Sequence, residues 1–202
     1  MSIPWGDIAA YSTAGFSAVA AGGAWFAAHR ANRTANAVAR IEKERWQAEL
    51  TPQFEFDLTE TGNGHALLDV RLEGPDALGH LDSISIVVGN DDGGHEVLNP
   101  GVDVTQDEVD ALVWGPYRFN PNADGADEYG RGPDPFDLSV GTGTRRSMQR
   151  THPGHWMAGK TQGTWQGEYV GKPIRLVLTC HRGDKKWVVT RHIENPLFVP
   201  EA

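Results

Sequence analysis

Gln53-Phe54-Glu55-Phe56-Asp57-Leu58 is the stretch at which the chain changes its period. Phe54, Phe56 and Leu58 fall on one side and Glu55 and Asp57 on the other, the two-residue repeat of a half-buried strand. The alternation returns in Ala66-Leu67-Leu68-Asp69-Val70-Arg71-Leu72, with Leu68, Val70 and Leu72 on one face. It returns in Leu81 to Val88, where Ile84, Ile86 and Val88 alternate with Ser83, Ser85 and Val87, and in Ile174 to Cys180, where Ile174, Leu176, Leu178 and Cys180 share a face. Trp187 to Ile193 reads as a last strand, and Ala111 to Phe119 as a further apolar run. Glycine-centred turns stand between these segments, at Gly62-Asn63-Gly64, Gly89 to Gly94 and Gly183-Asp184. The last predicts a hairpin between Arg175–Arg182 and Lys185–Glu194. Six or more short strands punctuated in this way predict a mainly β domain over residues 53–202, an antiparallel β-sandwich or open barrel. One helix is expected inside it, Thr105 to Leu112, where Thr105 caps and Glu108 stands three residues on. Residues 120–170 read as a long, glycine-rich irregular segment.

Upstream of Gln53 the period is helical, so the β domain is expected to follow one long N-terminal helix. In residues 29–52, Ala31, Ala35, Val38, Ile41 and Ala48 recur at three- to four-residue spacing. The narrow stripe suits a short coiled coil or a solvated stalk. Thr51-Pro52 ends it, because proline disfavours helical geometry in the preceding residue. From Ile8 to Ala28 the sequence runs 21 residues without a charge. A helix of that length spans about 30 Å, the thickness of a bilayer's hydrocarbon. Trp5 precedes the stretch, Trp25 and Phe26 close it, and Arg30, Arg33 and Arg40 follow before the first acid, Glu42. Residues 1–28 are therefore expected to anchor the chain in the cell membrane as a single span, contacting lipid through residues 8–28. The positive-inside rule places the C-terminal domain in the cytoplasm. Ala14, Ala18 and Gly22 repeat at four-residue spacing, a small-residue face that favours self-association or packing on a partner helix. The competing readings are a cleaved signal peptide, for which a basic leader is missing, and a soluble helix buried in an assembly.

Charge follows the same division. The total is −9, and residues 1–50 carry five Lys/Arg against four acids, so the acidity lies in the body. An acidic body argues against nucleic-acid binding, because it repels phosphate. The single cysteine, Cys180, excludes an intramolecular disulfide and a thiolate-based zinc cluster within a single chain.

Arg30-Ala31-Asn32-Arg33-Thr34-Ala35, Arg40-Ile41-Glu42, Ala48-Glu49-Leu50-Thr51-Pro52, Val113-Trp114-Gly115-Pro116-Tyr117-Arg118-Phe119 and Arg175-Leu176-Val177-Leu178-Thr179-Cys180 carry a resemblance. In these segments the chain resembles a group of uncharacterised actinobacterial single-span proteins with an N-terminal transmembrane helix, a basic helical connector and a β domain. The resemblance implies that architecture and no chemistry.

Motifs for chemistry are sparse. Asn120 to Glu128 looks like a calcium loop at its oxygen-bearing positions, but Arg131 stands where a bidentate carboxylate belongs. His152-Pro153-Gly154-His155 offers two histidines without an evident third ligand. Gly141-Thr142-Gly143-Thr144-Arg145-Arg146 could cradle a phosphate but reads more simply as a polar turn. No Gly-x-Ser-x-Gly occurs, and Cys180 lies on an apolar strand face. No catalytic, metal or cofactor-binding residue is assigned, and a non-enzymatic binding protein with a protein or ligand partner of unknown identity is expected. The alternative is a structural subunit whose small-residue helix oligomerises. Arg145, Arg146, Trp156, Trp165 and Tyr169 form the expected interaction surface, because aromatic, Met and Arg enrichment marks such surfaces. The competing reading has these aromatics covering one end of the sandwich.

Overall fold

A computed structural model of the chain describes residues 33, 38–40, 42, 45, 48–95 and 104–196. The chain divides into two compact units, Met1–Glu49 and Leu50–Ala202. In the first, the described residues are helical, and Arg45 Nε donates to Glu49 Oε1 at 2.9 Å, one turn on. The anchor expected over residues 8–28, with Ala14, Ala18 and Gly22, lies outside the described residues. Among those described, no helix is long and apolar enough to cross a membrane.

The second unit is built from β1 (Gln53–Gly62), β2 (His65–Gly74), β3 (His80–Val88), α1 (Gln106–Ala111), β4 (Tyr117–Phe119), β5 (Phe136–Ser139), β6 (Gly143–Arg150), α2 (Gln162–Glu168), β7 (Ile174–Arg182) and β8 (Lys185–Ile193). Two four-stranded sheets result, in the orders β1-β2-β6-β4 and β5-β3-β7-β8. Every pairing is antiparallel. One β-sandwich-like core fills the space between the sheets. Leu68, Val70 and Leu72 of β2 enter it from one side. Ile84 and Ile86 of β3 and Ile174, Leu176, Leu178 and Cys180 of β7 enter it from the other, all of them fully buried. Each such aliphatic side chain contributes about 1.5–3 kcal/mol by leaving water.

The turns follow from their residues. Gly62 pairs with His65, leaving Asn63 and Gly64 at φ 54° and 79°, the left-handed pair of a type I′ hairpin. The β7–β8 hairpin turns at Gly183-Asp184, and Asp82 Oδ2 accepts the Gly183 N–H at 2.6 Å. Helix α1 starts at a complete capping box between Thr105 and Glu108.

Residues 120–170 differ from their irregular expectation, because they hold β5, β6 and α2. The inward positions of β6 are Thr144, Arg146, Met148 and Arg150, so only one of them announces a buried face. Arg146 lies over the Phe136 ring at 4.3 Å and Arg150 pairs with Glu60, which lets both arginines face inward. Helix α2 carries Gly163 and Gly167, poor helix formers, and is started by Thr161, whose hydroxyl accepts from Thr164 N. The apolar run Ala111 to Phe119 is a strand only over Tyr117–Phe119, since its first part closes α1 and its middle is loop.

Arg131 fastens the long β4–β5 connection. Its guanidinium donates to the carbonyls of Asp110 at 2.7 Å, Leu112 at 2.8 Å and Ala111 at 3.2 Å, and to Asn90 Oδ1 at 3.2 Å. It thus fills the orphan acceptors at the α1 C-terminus, where the helix dipole favours a cation. Gly130 beside it has φ 70°, and a Cβ there would be driven into the Phe119 carbonyl oxygen.

Candidate functional site

A second, smaller apolar cluster lies under the two helices, and it positions the site. Val109, Trp114, Trp165 and Tyr169 are buried in it, with Trp156 and Met157 packed alongside. The rings meet at angles, Trp114–Trp165 at 5.5 Å and Trp165–Tyr169 at 5.2 Å between centroids. Trp114 Nε1 donates to the Val109 carbonyl at 2.9 Å and Trp165 Nε1 to Thr151 Oγ1 at 2.8 Å. Thr151, itself buried, donates its hydroxyl to the Gly115 carbonyl and takes Gln162 Nε2 on its own carbonyl. That chain of bonds sets α2 beside the end of β6.

The residues expected to form an interaction surface are placed as follows. Trp165 and Tyr169 are inside this cluster, and Trp156 is half-buried against it. Arg145 is exposed on β6 and pairs with Asp69 at 3.2 Å. Arg146 turns to the opposite side of the strand, over Phe136. The structure brings the three aromatics together and leaves the two arginines outside their cluster.

What α2 does create is a polar cleft of about 440 Å³ between the β1–β2 turn, the end of β6 and the helix itself. At its base, Arg150 donates through Nε at 3.0 Å and through a terminal nitrogen at 2.6 Å to Glu60 Oε1. The Tyr117 hydroxyl donates to the same oxygen. Arg150 also reaches Gln166 Oε1 at 3.4 Å. His152 Nδ1 lies 2.6 Å from Gln162 Oε1. Because the Gln162 amide nitrogen is committed to the Thr151 carbonyl, its oxygen faces the imidazole, and Nδ1 must be the donor. A neutral His152 therefore keeps an acceptor lone pair on Nε2.

Electrostatics fix the base of the cleft. Burial would raise the Glu60 carboxyl, but hydrogen bonds from Tyr117 and Arg150 outweigh it and hold the group below its ordinary range. Tyr117 is pushed up by burial and by its bond to Glu60, so it stays a neutral donor. The Glu60 and Arg150 side chains are 30% and 24% exposed, between surface and core.

Several atoms are unspent. Among the described residues, no hydrogen bond reaches Glu60 Oε2, the Gln166 amide nitrogen, or the side chains of Asn63 and His65. Arg150 has five N–H groups and uses three.

The chain matches no family model, no curated protein and no solved structure. The other sequence motifs are accounted for locally. Asp124 Oδ2 accepts the Ser147 N–H at 2.7 Å and Asp127 Oδ1 the Arg131 N–H at 3.0 Å, so two of the three carboxylates of the calcium-like loop serve the backbone. Thr142 closes the Gly141–Arg146 turn onto the Ser139 carbonyl at 2.7 Å. Among the described residues no group of three or more His, Cys, Asp or Glu is placed to hold a metal ion. Cys180 is buried, and its thiol is pushed up to about 12 by that burial.

Sequence reasoning missed the cleft. Glu60 and Arg150 are 90 residues apart and neither sits in a motif. The signal that pointed there was the pair of turns, Gly62-Asn63-Gly64 and His152-Pro153-Gly154-His155, which reach the same end of the sandwich.

Proposed function

We propose that the protein is a non-enzymatic binding protein whose β domain takes a small polar ligand in the Glu60–Arg150 cleft, and that residues 8–28 tether it to the cytoplasmic face of a membrane. The observation that carries the binding reading is the cleft's construction. A network of Tyr117, Glu60 and Arg150 is braced from behind by Thr151 and α2, while Glu60 Oε2, Gln166 and His152 keep unused hydrogen-bonding capacity. Its volume is within the roughly 300–1,000 Å³ of small-molecule sites. Binding is favoured over covalent catalysis because no Ser, Cys, Thr or Lys lines the cleft and hydrogen bonds from Tyr117 and Arg150 engage the Glu60 carboxylate. The tether is supported by the uncharged run from Ile8 to Ala28 and the arginines after it.

Ligand-detected NMR of the full chain against a mixture of small polar molecules tests the first part. Signals that vanish in Gln166→Leu support it, and a screen without cleft-dependent signals overturns it. Membrane fractionation with an alkaline carbonate wash tests the second part, on the full chain and on a version lacking residues 1–28. Retention of the full chain alone is the expected result, and release of the full chain by the wash removes the tether. Sizing in mild detergent then separates a lone tether from an assembly packed through Ala14, Ala18 and Gly22.

A further inference from the structure

The unspent groups of the cleft are of both kinds. Glu60 Oε2 is an anionic acceptor and, on a neutral imidazole, His152 Nε2 is a second one. Two Arg150 N–H groups and the Gln166 amide nitrogen are donors. A ligand anion placed on Arg150 would meet the free oxygen of Glu60, and a ligand cation placed on Glu60 would meet the guanidinium. Neither charge is favoured, since the base of the cleft is already an ion pair. A hydroxyl group suits both sets, because it donates once and accepts twice. Hydroxyl groups can donate to Glu60 Oε2 and His152 Nε2 and accept from Arg150 and Gln166.

The walls point the same way. No Val, Leu, Ile, Met, Phe, Tyr or Trp side chain lines the cleft, so an apolar ligand would gain little there. The lining groups are planar amides, imidazoles, a carboxylate and a guanidinium, which present hydrogen-bonding atoms in fixed pairs.

We infer that the cleft takes a neutral polyhydroxylated ligand, a mono- or disaccharide, bound through Glu60, Arg150, His152 and Gln166. The inference rests on the reading of this cleft as the binding site. An open site without a stacking ring gives weak affinity, a dissociation constant on the order of 1 mM.

The test uses the full chain in a detergent without a sugar headgroup, which would otherwise compete. The probes are glucose, galactose, mannose, N-acetylglucosamine and trehalose, with sodium phosphate and sodium acetate as anionic comparators. Saturation-transfer NMR reports ligand contact, and the imidazole resonances of His152 and His65 report its place. At least one sugar is expected to shift the His152 resonances saturably. Gln166→Leu and, in a separate protein, His152→Phe are expected to weaken it at least tenfold while melting as the parent does. If phosphate or acetate shifts His152 and no sugar does, the sugar class is wrong and the cleft still binds. If neither sugars nor anions shift His152 or His65, the saccharide inference is overturned, and the wider screen of small polar molecules decides whether the binding reading falls with it. A sugar whose binding ignores both variants sits elsewhere, and that too overturns the inference.

Discussion

Replacing Arg131 with methionine keeps an unbranched apolar stem and removes every bond its guanidinium makes. Two of those bonds are short, to the carbonyls of Asp110 at 2.7 Å and Leu112 at 2.8 Å. Three are longer, to Ala111, Asn90 and Val88 at 3.2–3.4 Å. A bond to a charged group is worth about 1.5–3 kcal/mol, and water can reach some of the freed carbonyls, so the lower end applies to the two short ones. The longer bonds and the helix-end charge add less, and these contributions are not additive. A loss of about 3 kcal/mol follows. For a domain of this size, 1 kcal/mol moves the melting temperature by about 2–4 °C, so the expected fall is roughly 6–12 °C. Thermal unfolding followed by the fluorescence of Trp114 and Trp165, which are buried close by, reads it directly. Arg131→Lys should fall between parent and methionine variant, since one ammonium cannot serve both sides of the fork. A fall of less than about 2 °C for Arg131→Met would refute the view that this residue fastens α1 and the β4–β5 connection to β3.

Three further outcomes are expected. Glu60 is held below its ordinary value of 4.5 in the folded protein, so its contribution to stability is present above that value and lost as pH falls below it. Urea titrations from pH 6 to pH 3 should show a shallower loss in Glu60→Gln than in the parent, and parallel curves would contradict the assignment. Gly130→Ala should cost at least about 3 kcal/mol, from left-handed backbone strain together with the collision with the Phe119 carbonyl, read as lower soluble yield or a depressed melting temperature. Cys180 should resist an aromatic disulfide reagent in the native protein and react only at the rate of unfolding, because its thiol is buried and pushed up to about 12.

Strands β1, β2, β3 and β7 were legible because they carry apolar residues at every second position, as in Leu68-Val70-Leu72 and Ile174-Leu176-Leu178, and β8 because Gly183-Asp184 marks its hairpin with β7. Helix α1 was legible because Thr105 and Glu108 make a capping box that local chemistry dictates. β6 was not, since two of its inward residues are arginines whose partners, Phe136 and Glu60, come from other strands. A charge that is tolerable only after a distant partner arrives leaves no periodic trace. Trp165 and Tyr169 attracted notice as large aromatics, and their burial beneath α1 and α2 depends on pairings that spacing alone does not reveal. The cleft escaped for the same reason, as its base joins residues 90 positions apart.

Arg150 closes β6 onto Glu60 and also forms the base of the cleft, so one side chain serves two ends. A lineage that altered Arg150 to change its ligand would loosen a strand in the same step. His65, Asn63, His152 and Gln166 stand at a hairpin tip, a loop and a helix face and make fewer bonds to the rest of the fold than Arg150 does. Drift in ligand preference is therefore channelled to the rim, and relatives of this chain should vary at those four positions while keeping the Glu60–Arg150 pair.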